Sequence, residues 1–226
     1  MCLTVGMEWG LLASLAESDR QEILTAARRR IFARGEVLVH DGDPADSLHL
    51  IAEGRVAVMV STSAGERATL NLLSPGDYFG ELSLVRHNRD RRRSADVVAL
   101  EPTTTLVVSA AAFDALCARD PSFDQLLVSA LARRVEQLSS RLLDALYVGL
   151  DRRLCRCLVD LANVYGPGEG PAIIPLTQEH LAGLVGGTRP TVNQILQKLS
   201  AQEVIELQRG RVIVCDAVTL RRKAGR

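Results

Sequence analysis

The spacing of hydrophobic residues changes along the chain. In residues 7–33 hydrophobic positions recur at helical intervals and predict two helices, through Leu11, Leu12, Leu15, Ile23, Leu24, Ala27 and Ile31. From residue 34 to residue 109 the interval falls to two and β-branched residues predominate, which indicates strands. Six short strands are predicted in this stretch: Val37–Val39, Leu48–Ile51, Val56–Val60, Ala68–Leu73, Ala95–Ala99 and Thr105–Val108. Their near-even spacing predicts a β barrel or jelly roll.

The pattern then becomes helical again and contains a narrow hydrophobic seam. A helix is predicted from Ser109 and a longer one from Pro121. On the longer helix, hydrophobic residues follow the heptad spacing of a coiled coil at Leu131, Val135, Leu138, Leu142 and Ala145. Charged residues flank this seam, which favours a parallel pair of helices in a homodimer. Packing of the helix on its own barrel is the alternative.

Beyond Asp151 the pattern predicts a helix, a loop at residues 166–171 and a winged helix-turn-helix. A helix capped by Thr177, a pair of glycines and a second helix capped by Thr188 form the helix-turn-helix. The two strands of the wing are expected at Val204–Leu207 and Arg211–Val214. The chain is therefore predicted to be α+β, with a β jelly-roll barrel in residues 1–120, a long dimerisation helix in residues 121–149 and a winged helix-turn-helix in residues 150–226.

Composition removes several classes of protein. The chain is 47% hydrophobic and 24% charged, which is ordinary for a globular protein. There is no run of about 18 apolar residues, so neither a membrane span nor a membrane partner is expected. The first ten residues lack a basic segment and include Glu8, unlike a secretory signal. Five scattered cysteines indicate reduced thiols, so a cytoplasmic location is expected.

The second helix of the helix-turn-helix carries polar residues able to reach base edges in the major groove of DNA. Its predicted exposed residues are Arg189, Asn193, Gln194, Gln197 and Lys198. Arg189, in the first turn, is the candidate base reader, and the candidate phosphate contacts are Thr188, Thr191 and Lys198. Residues 151–226 hold 11 Lys and Arg against 7 Asp and Glu, a net charge of +4 that suits DNA. A winged helix that binds another protein is the alternative.

A second candidate site lies in the barrel, where Phe79-Gly80-Glu81-Leu82 precedes Arg93-Ser94-Ala95. Gly80 allows close approach of the backbone, and exposed amides after it can face an anion. Glu81 can accept hydrogen bonds from a sugar hydroxyl, and the forked guanidinium of Arg93 can hold a phosphate. A solvated arginine loop, or an ion pair between Glu81 and Arg93, is the alternative.

These motifs, in this order around a long helix, resemble the bacterial Crp–Fnr transcription regulators, most closely the branch that responds to cyclic AMP. The resemblance covers nearly the whole chain. It implies a homodimer whose N-terminal barrels bind a cyclic nucleotide, cyclic AMP first of all, and whose C-terminal domains bind a pseudo-palindromic DNA operator. It also places the loop at residues 166–171 where such regulators contact RNA polymerase, a further candidate partner.

The resemblance assigns roles to individual residues of the barrel and the long helix. Gly80 and Glu81, in the segment that includes Leu82, would contact the ribose. Arg93 and Ser94 would contact the cyclic phosphate. The pocket would be lined by Val58, Leu70 and Leu73. It would be closed from the long helix by Arg134 and Ser139, the latter across the dimer.

Three departures from the family pattern concern the ligand and the operator. Leu138 stands where the cyclic-AMP-responsive members have a threonine that meets the adenine amino group, which removes a hydrogen bond at a cost of about 1 kcal/mol. The loop between Glu81 and Arg93 is longer. Pro190 and Gln194 replace a base-reading glutamate and an arginine, so a different operator is expected, with Gln194 as a candidate reader of adenine.

Other chemistries find few candidate residues. Only Cys2 lies near the N-terminus, where the iron–sulfur members need a cysteine cluster, so no iron–sulfur cluster is expected. The four histidines are isolated, so neither haem nor another metal site is expected. No catalytic motif is found, so no enzymatic activity is expected. The remaining alternative is a DNA-binding dimer that is constitutive or binds a different ligand, which Leu138 keeps open.

Overall fold

The computed structural model describes residues 9–13, 15–61, 67–81, 92–119, 122–166 and 171–225. They form two compact units. The first unit lies within residues 1–60 and 71–137, and the second lies within residues 61–70 and 138–226.

The first unit is a barrel of two four-stranded sheets with flanking helices. Its elements are α1 (Glu17–Ala26), β1 (Arg28–Phe32), β2 (Val37–Val39), β3 (Ser47–Glu53), β4 (Val56–Ser61), β5 (Arg67–Leu73), β6 (Tyr78–Phe79), β7 (Asp96–Ala99), β8 (Thr103–Ser109), α2 (Ala110–Arg119) and α3 (Ser122–Tyr147). The strands lie in the orders β1-β8-β3-β6 and β2-β7-β4-β5. β4 and α3 end in the second unit, and β5 begins in it. All six predicted strands are present.

Strand β3 is buried on both faces because apolar residues cover each of them. Leu48 and Leu50 belong to one cluster, with Trp9, Leu11, Leu12, Leu15, Ile23, Val108, Phe113 and Ala130. Ile51 belongs to the other, with Phe32, Leu38, Val56, Val58, Leu73, Phe79, Ala95, Val97 and Ala99. Since side chains alternate along a strand, Ser47 and His49 share the face of Ile51, which is the face of the candidate barrel site.

The helical prediction is wrong at both ends of residues 7–33, because residues 10–13 form a turn and Arg28–Phe32 forms strand β1. It pairs antiparallel with β8, from Arg28 opposite Val107 to Phe32 opposite Thr103. Ile31, which completed the helical spacing, is 70% exposed, and Phe32 is buried instead. The backbone of β1 satisfies its hydrogen bonds along β8, so tertiary pairing overrides the local spacing. Strand β6 was not predicted, because two residues are too few to show a periodic pattern.

The second unit contains the helix-turn-helix and its wing. Its elements are α4 (Leu150–Tyr165), β9 (Ala172–Ile174), α5 (Gln178–Val185), α6 (Arg189–Ala201), β10 (Ile205–Gln208), β11 (Arg211–Val214) and α7 (Ala217–Ala224). The wing has a third strand, because β9 pairs antiparallel with β11, Ile174 opposite Val212. The core is aliphatic, with Leu154, Leu158, Ile174, Leu181, Val192, Leu196, Val212 and Leu220 all buried.

The predicted α+β class is confirmed, with an N-terminal β barrel, a long helix and a C-terminal winged helix-turn-helix. Among the helices of the described ranges, none combines the length and the apolar character that crossing a bilayer requires.

Candidate anion site and nucleic-acid interface

Arg93, just before β7, is a buried cation of the first unit and only 7% exposed. Its Nη1 donates to the backbone carbonyl of Ser47 at 2.9 Å, and its Nη2 donates to the Ser47 Oγ at 2.9 Å. The Arg93 Nε is buried and has no hydrogen-bond partner in the part of the chain that the structure describes. A buried guanidinium with an unfilled donor suits an anion, because a charge-assisted hydrogen bond is strong away from water.

Carboxylates surround Arg93 without pairing with it. Burial lowers the pKa of Arg93, and Asp46, Asp43 and Glu81 oppose that shift. Within the described residues none of the three forms an ion pair with Arg93. The alternative of a simple Glu81–Arg93 ion pair is therefore not what the structure contains. The backbone at Arg93 is fixed, since its N–H donates to the Asp43 carbonyl at 2.8 Å.

Gly80 lies against the guanidinium of Arg93. Its φ is +89°, in the left-handed region that favours glycine. A Cβ at this position would collide with the Arg93 Nη1 and would lie 2.6 Å from the Ser47 carbonyl oxygen. Only a glycine therefore allows the backbone after β6 to reach the start of β3 and Arg93.

Glu81 and Arg134 lie near the same segment. Burial raises the pKa of Tyr78, a hydrogen bond with Arg133 opposes that rise, Glu81 adds to it, and Arg134 opposes it. Arg133 and Arg134 are on the part of α3 that belongs to the first unit. The structure thus brings Gly80, Glu81 and Arg93 together and places Arg134 within electrostatic range of their segment.

His49 adds a buried aromatic contact that the sequence did not single out. Its ring stacks on Phe79, with 4.5 Å between ring centroids, and its Nδ1 lies 3.3 Å from the Thr105 Oγ1. Burial, followed by the charges of Arg93 and Arg30, lowers the pKa of His49 to about 3. The imidazole is therefore neutral near pH 7 and adds no positive charge beside Arg93. A lone histidine in an apolar strand gives no sequence signal for such a role.

The other predicted barrel residues are spread more widely. Val58 and Leu73 are buried in the apolar cluster that contains Ile51 and Phe79, whereas Ser94 is exposed. Leu70 and Ser139 are exposed and belong to the second unit. Leu82 and the rest of residues 82–91 lie outside the described residues, as do residues 167–170 of the predicted polymerase-facing loop.

Short-range caps position the two helices of the helix-turn-helix. The Thr177 Oγ1 accepts a hydrogen bond from the His180 N–H, and the His180 Nδ1 accepts one from the Thr177 N–H, which forms a capping box. Gly186, with φ +62°, ends α5. The Thr188 Oγ1 accepts a hydrogen bond from the Thr191 N–H and lies 2.9 Å from the Thr191 Oγ1. The predicted helix boundaries at Thr177 and Thr188 are confirmed.

The exposed face of α6 differs in part from the sequence expectation. Val192, Ile195 and Leu196 are buried, and Arg189, Gln194, Gln197 and Lys198 are exposed. Asn193 is half-buried, and its Oδ1 is buried without a hydrogen-bond partner in the described ranges. Asn193 was predicted to be exposed, but its side-chain amide is only partly accessible to solvent.

Arg189 lies in a cleft between α5, the start of α6 and the turn of the wing. The cleft has a volume of about 360 Å³, and Gln178, Arg209 and Arg211 also line it. Sequence reasoning missed the two wing arginines. Their signal in the sequence was the pair of arginines around Gly210 in the turn of the β10–β11 hairpin. Three arginines and one carboxylate, that of Glu179, line the cleft, so its net charge is positive and suits nucleic-acid phosphates.

The predicted seam of α3 is exposed apolar surface. Val135, Leu138 and Leu142 are each more than half exposed, Ala145 is exposed, and Leu131 is half-buried. Leu143, Leu146 and Tyr147 are exposed beside the predicted positions. A run of large apolar side chains open to water on one helix is typical of a surface that another protein covers.

A metal site has no candidate among the described residues, in which no group of three or more His, Cys, Asp or Glu side chains is placed to hold an ion.

Comparison with known proteins identifies both units. Residues 29–120 match the family model of the cyclic nucleotide-binding domain, and residues 152–223 match that of the Crp-like helix-turn-helix domain. A CRP-like cAMP-activated global transcriptional regulator of Mycobacterium tuberculosis is 30% identical over 85% of this chain and 86% of its own. The cyclic AMP receptor protein of Thermus thermophilus is 31% identical over 93% of this chain and 94% of its own.

The solved structures agree on the fold. The c-di-GMP responsive global regulator CLP of Xanthomonas campestris superposes with a TM-score of 0.74 at 19% identity, over 88% of this chain and 99% of that one. The chain contains a cyclic nucleotide-binding domain and a Crp-like helix-turn-helix domain, and its relatives match most of its length. It is therefore a member of the Crp–Fnr family of DNA-binding transcription regulators.

Proposed function

We propose that this chain is a homodimeric regulator that acts in the cytoplasm and whose affinity for a pseudo-palindromic operator is controlled by cyclic AMP. Residues 1–120 form the sensor, residues 121–149 form the dimerisation helix, and residues 150–226 form the DNA-binding domain. The observation that carries the proposal is the buried Arg93. Its Nε has no hydrogen-bond partner in the described residues, and it lies beside Gly80, where no residue with a Cβ would fit.

The cyclic phosphate would bind at Arg93. The Arg93 Nε is the unfilled donor, the exposed Ser94 hydroxyl is adjacent, and the close approach of the Gly80 backbone holds the guanidinium in place. Glu81 would accept hydrogen bonds from the ribose hydroxyl, since its carboxylate is not used in an ion pair with Arg93. Arg134 would close the site from the long helix, and Ser139 would do so from the second chain of the dimer. The base would meet apolar residues such as Val58, Leu70 and Leu73.

Arg189 would read a base from the first turn of α6. Its cleft with Arg209 and Arg211 supplies positive charge near the start of the helix, which supports phosphate contacts around the base that it reads. Gln194 would read a second base, and Thr188, Thr191 and Lys198 would contact DNA phosphates. In a dimer, the two α6 helices would bind half-sites roughly 34 Å apart.

The dimer would form along α3. Its seam of Leu131, Val135, Leu138, Leu142 and Ala145 would pack against the same seam of a second chain, which removes exposed apolar surface from water. Ligand contacts near this seam would favour one helix packing over another. Cyclic AMP changes DNA affinity only if its own affinity differs between those two packings.

A second candidate function is a regulator that is constitutive or responds to another ligand. Leu138, which stands where the cyclic-AMP-responsive members have an adenine-binding threonine, favours it. The relative from Xanthomonas campestris, described as responsive to c-di-GMP, gives a precedent for a different ligand on this fold.

Calorimetric titration of the full-length protein with cyclic AMP and then cyclic GMP separates the two candidates. Saturable binding of one nucleotide per protomer supports the sensor assignment. Arg93→Gln should then weaken binding about tenfold or more, because a charge-assisted hydrogen bond is lost. Arg34→Gln, at an exposed arginine in the same unit, is the matched control and should bind normally.

Because Arg93 is buried, its replacement also tests folding, so thermal unfolding is measured beside each titration. Ser94→Ala, at the exposed neighbouring position, is a milder variant and should weaken binding while it keeps the unfolding temperature. If a folded dimer releases no heat with either nucleotide, the constitutive or different-ligand regulator replaces the first proposal.

A further inference from the structure

The second unit contains a larger cavity that shares no lining residue with the Arg189 cleft. Its volume is about 740 Å³, and its walls come from the first turn of α4, the C-terminal turns of α6 and the helix α7. This volume lies within the roughly 300–1,000 Å³ that is usual for small-molecule sites. Among its lining residues only Lys198 has another candidate role, as a contact of α6 with DNA phosphate.

The cavity has an apolar floor. Leu150 at the start of α4 is half-buried, and Ile195 and Leu199 of α6 are buried. The buried Cys155 adds a thiol to this floor. Apolar side chains from two helices therefore line a volume large enough for several methylene groups of a ligand.

The mouth of the cavity is cationic. Arg152, Lys198 and Lys223 line it and are all exposed, against a single carboxylate at Asp151. Within the described ranges these three cations take part in no hydrogen bond or ion pair. Burial raises the pKa of the Cys155 thiol, while Lys223 lowers it and Asp151 raises it, so both charged groups lie close to the floor. The balance of charge at the mouth is positive and unsatisfied.

We propose that this cavity is a second effector site, which binds a small organic anion with an apolar body. The anionic group would bind between Arg152 and Lys223, and the apolar part would rest on Leu150, Ile195 and Leu199. Such a ligand contacts α6, the helix that also carries Arg189. It would therefore affect DNA binding directly through α6, independently of any ligand in the barrel.

The simplest probe is octanoate, a carboxylate with a short aliphatic chain. Full-length protein with ¹³C-labelled isoleucine methyl groups is titrated, and the Ile195 signal is followed beside calorimetry. The signal should shift saturably, with one octanoate per chain. Inorganic phosphate and 1-octanol should each bind about tenfold more weakly or worse, because each supplies only half of the interactions.

Two variants test where the anionic group binds, and a third is their control. Lys223→Gln and Arg152→Gln should each weaken octanoate binding about tenfold, since each removes one charged donor. Arg221→Gln, on the same helix α7 but outside the cavity lining, is the matched control and should bind as the original chain does. All three positions are exposed, so the unfolding temperatures should remain equal.

The proposal would be overturned by no saturable shift at Ile195, by equal binding of 1-octanol, by an equal effect of Arg221→Gln, or by an Ile195 signal that responds to protein concentration alone. The last result would mean that a second copy of the chain covers the cavity. Phosphate binding equal to that of octanoate would reduce the site to a patch of surface cations and would also overturn it.

Discussion

The two units each present an arginine to a negatively charged partner, but they build its surroundings in opposite ways. Arg93 is buried and is held by Ser47, which is 46 residues away in sequence, and by the close approach of Gly80. Arg189 is exposed at the first position of a helix whose cap, Thr188, is its direct neighbour. Replacing residues of the barrel site should therefore destabilise the fold, because long-range packing holds the site together. Replacing Arg189 should cost little stability, because only local caps position it.

The largest effect is expected for Gly80→Ala in the barrel. The left-handed φ at residue 80 costs about 1 kcal/mol for a residue with a Cβ, and overpacking against the Ser47 carbonyl adds about 2 kcal/mol. The free energy of unfolding, measured in urea, should therefore fall by about 3 kcal/mol. Nucleotide binding should be lost with it, because the Cβ displaces the Arg93 guanidinium.

Gly35→Ala separates strain from collision. Gly35 has a similar φ of +83°, but a Cβ there would meet no atom within 4 Å. Its unfolding free energy should fall by only about 1 kcal/mol, from backbone strain alone. Equal losses for the two alanine variants would mean that the contact among Gly80, Ser47 and Arg93 contributes nothing to the barrel.

Arg189→Ala should show the opposite behaviour. The exposed side chain supports no packing, so the unfolding free energy should change by less than about 0.5 kcal/mol. Affinity for an operator selected from a random duplex library should fall by about 2 kcal/mol, roughly 30-fold, because a base contact is lost. Binding to unrelated DNA should change much less, as measured by fluorescence anisotropy. An equal loss on both duplexes would assign Arg189 to a phosphate.

The same contrast explains what the sequence could predict. The caps at Thr177 and Thr188, the glycine turn and the apolar spacing of α6 are local signals, and the structure agrees with each to within about a residue. The six strands were recognised from their alternation. The contacts of Gly80 and Arg93 with Ser47 join segments that no periodicity relates, so the sequence could name two members of the site but not the third.

The failures have related causes. Ala27 and Ile31 have the i, i+4 spacing of a helix, yet the backbone of residues 28–32 pairs with β8. This partner lies more than 70 positions away, so a local pattern does not predict it. His49 sits in an apolar strand and gains its importance only from Phe79, Thr105 and Arg93 around it. The cationic cleft needed the fold of the wing to bring Arg209 and Arg211 to Arg189.

His49 gives the barrel a pH dependence that tests how closely its stability depends on burial. The pKa of His49 is lowered from 6.5 to about 3 in the folded chain, first by burial and then by Arg93. Since the pKa of an unfolded histidine is about 6.5, the unfolded chain takes up this proton first as the pH falls. The stabilisation from neutral His49 is therefore complete above about pH 6.5 and is lost progressively towards pH 3.

At pH 5.5, one unit below the pKa of the unfolded histidine, this loss amounts to about 1.4 kcal/mol. The difference in unfolding free energy between the original chain and His49→Gln should shrink by that amount from pH 7.5 to pH 5.5, as measured in urea at each pH. If His49→Gln retains the pH dependence of the original chain, the buried imidazole takes up its proton within the folded barrel, and the packing around Phe79 and Arg93 is looser than the structure shows.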